Sequence, residues 1–231
     1  MKPVFLLAGG RTRRRPTPDP LIQAVFRESG AVSPDVAYVG TASDDDAGFF
    51  SSIAEALRAA GAGRVSHALI SPENADLKQA RKILESADIV FISGGDVEVG
   101  MQVLREKNMV DFLVQLYQSG KPFFGVSAGS IVLAKEWVRW RNPDDDATAE
   151  LFPCLGMAPV ICDTHDEQGG WQELKTVLGL EKDNVKGYGI VSGTAIKVFP
   201  DGRIEALGGA VHQYIRQSGR IERGADILPG S

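Results

Sequence analysis

Ser127 stands in Gly125-Val126-Ser127-Ala128-Gly129, directly after the apolar run Pro122-Phe123-Phe124. Glycines two places to either side let a strand and a following helix approach closely. A serine on such a turn is presented as a nucleophile, and the N–H of the next residue, Ala128, points from a helix N-terminus toward a developing oxyanion. The same five residues would also serve an ordinary strand-to-helix turn with a capping serine. A second turn, Gly94-Gly95-Asp96, closes the preceding apolar run. If the two strand ends are neighbours, Gly94 or Gly95 supplies a second oxyanion donor.

A serine needs a base, and the chain has 3 histidines. His67 lies in an early strand and reads as a packed or surface side chain. His212, in "GGAVHQYI", stays open. His165 lies in "VICDTHDEQGG", where an apolar strand breaks into polar residues, the place a catalytic histidine on a strand end would occupy. Asp163 and Glu167 sit two residues away on either side, and on an extended segment they share its face. Either could orient the imidazole; a charged surface loop is the competing reading. Asp96, Ser130 and Arg139 are substrate-binding candidates by nearness to these motifs, as are Arg141, Trp137, Trp140 and Trp171 for the pocket.

Stepwise along the chain, short apolar runs alternate with helical patterns. "PVFLLAGG", "DVAYVGTAS", "RVSHALI", "DIVFISGGD" and "PFFGVS" read as strands. Between them "PLIQAVFRESG", "FFSSIAEALRAAG", "NADLKQARKILESA" and "GMQVLREKNMVDFLVQLYQSG" read as helices. Gly30, Gly61 and Gly120 are their stops, and Asn74 or Asp76 caps the third. After the serine turn, "AGSIVLAKEWV" reads as helix. This order predicts an α/β fold with a mostly parallel sheet covered by helices on both faces. "RNPDDDATAE" is a loop, "MAPVICDTH" and "GYGIVS" strands, "WQELKTVLGLE" a helix. Pro200-Asp201-Gly202 makes "TAIKVFPDGRIEALGG" an antiparallel hairpin at the sheet edge. One domain over residues 1–231 is expected, with a tail, 217–231, that is partly disordered.

The 231 residues are 43% hydrophobic and 24% charged, ordinary for a globular chain, and the net charge of −5 gives nucleic-acid binding no support. Arg11, Arg13, Arg14 and Arg15 form the one basic run. Cys154 and Cys162 do not make a disulfide framework or a zinc-ligand pattern, so no metal and no cofactor are expected. No apolar stretch is long enough to span a membrane. The apolar start is too short for a signal peptide, and its arginines follow the apolar segment instead of preceding it. A cytoplasmic protein without membrane or nucleic-acid partners is expected, with a homodimer left open.

Taken together, "FISGGDVEVGM", "KPFFGVSAGS" and "DTH" resemble the dipeptidase E and cyanophycinase family of serine peptidases, whose fold is similar to that of class I glutamine amidotransferases (flavodoxin-like). "VAYVGTASDD" and "GIVSGTAIKVFPDGRIEALGG" extend the likeness to about residues 1–215. The resemblance implies Ser127 as nucleophile, His165 as base and an oxyanion held by backbone around Gly95 and Ala128. It implies a small peptide or related amide as substrate. The family often carries an acid just before the Gly-Thr-Ala of the late hairpin. Here Ile190-Val191-Ser192 has none, and Glu167 takes its place as third member on the His-x-Glu spacing of glutamine amidotransferases, with Asp163 as the alternative. Two other readings compete. One is an α/β-hydrolase-type esterase using His212 with Asp183 or Asp201. The other is a non-catalytic protein on the same fold that binds an anion through the basic run.

Overall fold

The computed structural model describes residues 1–10 and 18–230; the basic run Arg11 to Arg15 lies outside them. Five apolar segments form the parallel part of the main sheet: β1 (Val4–Leu7), β2 (Val36–Val39), β3 (Val65–His67), β4 (Ile89–Ile92) and β5 (Phe123–Val126). β10 (Ala195–Val198) and β11 (Ile204–Leu207) add an antiparallel hairpin at one edge, giving the order β11-β10-β1-β5-β4-β2-β3. Alternation along each strand sends Phe5, Leu7, Tyr38 and Phe91 to one face and Val4, Leu6, Val39 and Ile92 to the other. α1 (Pro20–Ser29) and α2 (Ala47–Ala59) cover the first face. α3 (Leu77–Ser86), α4 (Val97–Glu106), α5 (Val110–Gln118) and α6 (Ala128–Leu133) cover the second.

Local chemistry sets the helix limits. Asp19, Asp46, Asp76 and Asp96 each accept backbone N–H groups at the first turn of the helix that follows. Gly30 ends α1 with φ +85°, in the left-handed region. The long helix expected before the serine turn is two, α4 and α5, broken at Asn108, whose φ of +54° no helix interior accepts.

Two expectations on the later half need correction. The helix after Ser127 stops at Leu133, because Ala134 is already extended, and Glu136–Trp140 is a strand, β6, paired antiparallel with β7 (Ala149–Pro153). Trp137, Val138 and Trp140 favour a pleated strand over a helix. "RNPDDDATAE" is mostly the loop of this hairpin. The strands β8 (Ile161–Thr164) and β9 (Lys186–Ile190) do not join the main sheet. They form a second sheet, β13-β12-β9-β8, with β12 (His212–Gln217) and β13 (Arg220–Arg223), and α7 (Gln172–Leu180) packs on it. The tail is tied down by β13, by a bridge from Ile227 to Val211 and by one from Pro229 to Ala206. Among the described residues no helix is long and apolar enough to cross a membrane.

Candidate active site

The two glycines around Ser127 are required by close approach. A Cβ on Gly125 would lie 2.4 Å from the Gly129 carbonyl oxygen, and one on Gly129 would lie 2.1 Å from that of Ile92 at the end of β4. The start of α6 is thus pressed onto two strand ends. Ser127 between them has φ +56° and ψ −127°, a conformation that costs a non-glycine residue on the order of 1–3 kcal/mol. Its N–H donates to the Leu7 carbonyl at 2.9 Å, which anchors the turn to β1.

The Ser127 hydroxyl lies 2.7 Å from His165 Nε2. His165 follows β8 directly, and its own N–H donates to Ile190 of β9 at 2.9 Å. It too is left-handed, with φ +49°. The second sheet delivers the imidazole and the first delivers the hydroxyl, both from the carboxyl ends of strands.

The glycine turn after β4 lies against the serine. A Cβ on Gly94 would sit 3.2 Å from Ser127 Cβ. Gly95 has φ +143°, and a Cβ there would fall 1.8 Å from the Ala42 carbonyl oxygen, so only glycine fits. The Asp96 N–H is taken by Ala42 at 2.7 Å, whereas the N–H groups of Gly94, Gly95 and Ala128 have no acceptor among the described residues. Among these residues they are available to an acceptor that a ligand would bring.

Of the two carboxylates flanking His165, Glu167 is drawn down by the histidine's charge. Burial raises the Glu167 pKa, but hydrogen bonds from backbone, including the Ser192 N–H at 2.9 Å, and the His165 charge bring it below its ordinary value. Asp163 is 5% exposed, and its Oδ1 accepts from the Thr164 N–H at 2.6 Å. Burial, then the carboxylates of Glu173, Asp166 and Glu167, push its pKa up to about 7. Among the described residues neither carboxylate accepts a hydrogen bond from His165.

Ser127 and His165 open onto a cavity of about 670 Å³. Asp96 and Arg139 border it. Ser130 does not: it is fully buried, and its hydroxyl donates to the Leu7 carbonyl at 2.8 Å, so it fastens α6 to β1 and is unavailable to a substrate. Trp137 and Trp140 border the cavity, whereas Trp171 is packed under Gly189 and Arg141 is held outside by Glu150 at 2.9 Å. Glu98, Asp166 and Glu173 also border it. Sequence reasoning missed them; the signal available for Glu98 and Glu173 was the acidic first turn of the helices that follow Gly94-Gly95-Asp96 and the His165 segment.

The chain matches peptidase family S51 over residues 4–205.

It belongs to that family.

Within it, peptidase E of Haemophilus influenzae (strain Rd) is 40% identical over 81 residues, which is 33% of this chain and 37% of that protein. Peptidase E of Actinobacillus pleuropneumoniae serotype 5b is 38% identical over 55 residues, 24% of each. The matched stretch therefore spans about a third or less of these curated relatives. A crystal structure of a peptidase from an acI-B1 Actinobacterium superposes with a TM-score of 0.73 over 99% of this chain and 97% of that one, at 18% identity, which shows the shared fold.

The S51 frame leaves the rival histidines elsewhere. His212 Nδ1 lies 3.1 Å from Asp226, within the second sheet. Asp183 accepts from Gly219 and pairs with Arg216, and Asp201 closes the late hairpin turn on Arg203. None of these meets Ser127. His67 is stacked on Phe50 and lies 3.0 Å from the buried Asp45, which also accepts N–H groups of Gly40, Ile70 and Ser71. The cysteines are free, and burial pushes the Cys154 thiol up to about 12, far from a reactive thiolate.

Proposed function

We propose that this S51 member is a serine-dependent hydrolase of peptide or related amide bonds that works through an acyl-enzyme. The observation that carries the reading is the 2.7 Å approach of Ser127 Oγ to His165 Nε2, beside backbone N–H groups that have no acceptor among the described residues. With the proton on Nδ1, Nε2 accepts the Ser127 proton as Oγ attacks the amide carbon. The oxyanion is met by the Ala128 N–H and by that of Gly95 or Gly94. His165 returns the proton to the amide nitrogen as the C–N bond breaks and the amine leaves. Water then attacks the ester carbon, His165 takes its proton, and Ser127 Oγ leaves as the hydroxyl is restored.

Glu167 is the third member we favour, acting on His165 by its charge at the end of a segment fixed through Ser192. A small peptide or amide as substrate, a cytoplasmic location and a single functional unit over 1–231 complete the proposal. A fluorophosphonate probe tests it: it labels the wild type at Ser127 and not Ser127→Ala. Equal labelling of the two, or none in the folded wild type, would overturn it.

A further inference from the structure

The turn Gly94-Gly95-Asp96 begins with two glycines, so its own side chains do not fix where their N–H groups point. It is fixed from behind. The Ala42 carbonyl accepts the Asp96 N–H at 2.7 Å and stands where a Cβ on Gly95 would fall, at 1.8 Å. Ala42 is pressed on α4 as well, since a Cβ on Gly100 would come within 3.0 Å of its Cα.

Ala42 belongs to the loop 40–45, and that loop is strained. Asp44 and Asp45 are successive non-glycine residues in the left-handed region, with φ +53° and +52°. Such backbone persists where its surroundings over-determine it, and it clusters at functional sites. Here the Asp45 carboxylate does the holding. Its side chain is 1% exposed. Oδ1 accepts the Gly40 N–H at 3.0 Å and lies 3.0 Å from His67 Nε2. Oδ2 accepts the N–H groups of Ile70 and Ser71 at 2.8 and 2.7 Å. Burial alone would raise the Asp45 pKa, but the hydrogen bonds from His67 and from the Ser71 and Ile70 backbone bring it below its ordinary value. The ionised carboxylate only accepts, so His67 Nε2 carries the proton between them. The imidazole is itself held, stacked on Phe50 with centroids 4.3 Å apart and edge-on to Tyr38 at 5.0 Å. One buried carboxylate thus ties the ends of β2 and β3 to a loop that bears on the glycine turn beside Ser127.

We propose that Asp45 and His67 are positioning residues for the reaction at Ser127: they hold the Ala42 carbonyl in place, and through it they aim the N–H of Gly95 or Gly94 at the oxyanion. The inference rests on the reading of Ser127 as nucleophile. Neither side chain borders the cavity at Ser127, so both act on the rate through the turn and leave the binding of substrate alone.

The test reads the turn and the chemistry separately in the full chain. His67→Phe keeps an aromatic ring but loses the donor to Asp45; His67→Gln keeps a donor of similar reach. Asp45→Asn approaches the pair from the other side. The turn is read by hydrogen exchange at the Asp96 N–H, which His67→Phe and Asp45→Asn accelerate about tenfold or more and His67→Gln leaves within about threefold of wild type. The chemistry is read with an alkyl fluorophosphonate, whose phosphoryl oxygen takes the oxyanion's place as Ser127 Oγ displaces fluoride. For the same two variants the maximal labelling rate falls about tenfold or more while the half-saturating concentration stays within about twofold, and His67→Gln restores the rate. Leu84→Ala, a core truncation in α3, lowers the melting temperature and leaves the labelling rate unchanged. A labelled wild type in which either readout ignores His67→Phe and Asp45→Asn overturns this inference alone. So does a loss that His67→Gln fails to restore or that Leu84→Ala reproduces. A folded wild type that takes no label, with exchange at Asp96 still responding, overturns the nucleophile alone. One that takes no label and shows no response overturns both.

Discussion

The glycines of the serine turn are fixed by contacts with backbone, which cannot move aside as a flexible side chain can. Gly129→Ala would set a methyl 2.1 Å from the Ile92 carbonyl oxygen, whereas Gly30→Ala meets nothing within 4 Å and incurs only the strain of a left-handed φ. Gly129→Ala is therefore expected to cost more than about 3 kcal/mol or to leave little folded protein, and Gly30→Ala about 1 kcal/mol, measured by urea unfolding. Equal costs would contradict the close packing of α6 on β4. At His165, Glu167→Gln keeps shape and removes charge. We expect kcat to fall by about 10²-fold with the unfolding midpoint nearly unchanged, since the orienting carboxylate of such sites acts on the imidazole and not on the fold. A kcat within twofold of wild type would remove Glu167 from the proposed triad.

Helix starts and strand ends were legible because their chemistry is local. Asp76 accepts the N–H groups of Lys78 and Gln79 at 3.0 Å each, and its replacement by alanine is expected to cost about 1 kcal/mol in chemical unfolding. No measurable change would mean that water replaces the cap. The parallel order, the edge hairpin and the Ser127 and Gly95 turns were readable for the same reason: apolar runs end at glycines, needed at Gly95 for its positive φ and at Gly125 and Gly129 for close approach of backbone. The split between two sheets was not. β8 is buried along its whole length as β4 is, and nothing in Ile161–Thr164 says that it will pair with β9 outside the main sheet; that depends on β9 and on β12, which pairs with β9 many residues later. β6 was hidden because "IVLAKEWV" satisfies helical spacing, and only its pairing with β7 decides the outcome. Ser130 was misjudged because its direction follows from the position of β1, which the local sequence does not contain.

The whole molecule feels the uncompensated Asp163. Its pKa is about 7 when folded against an ordinary 3.8, so between these values the folded chain retains a proton that the unfolded chain has released. Stability therefore falls as pH rises through that window, and the loss is complete above about pH 7. Asp163→Asn removes the dependence while keeping an acceptor for the Thr164 N–H. Its melting temperature should exceed that of wild type by a few degrees at pH 8 and converge with it near pH 4, by differential scanning calorimetry. A difference independent of pH would mean that the carboxylate is not strained by burial.

β1 lies between β5 and β10, with Val4 opposite both Phe123 and Val198. The Leu7 carbonyl at its end accepts from both the Ser127 N–H and the Ser130 hydroxyl. The turn that bears the serine thus hangs on a strand separated from it by most of four βα units. Closing such loops is slow compared with forming helices, and it sets the order of events in time. After dilution from denaturant, helical circular dichroism should return first, and probe labelling of Ser127 should lag behind it, so that an early, compact and already helical chain is chemically silent.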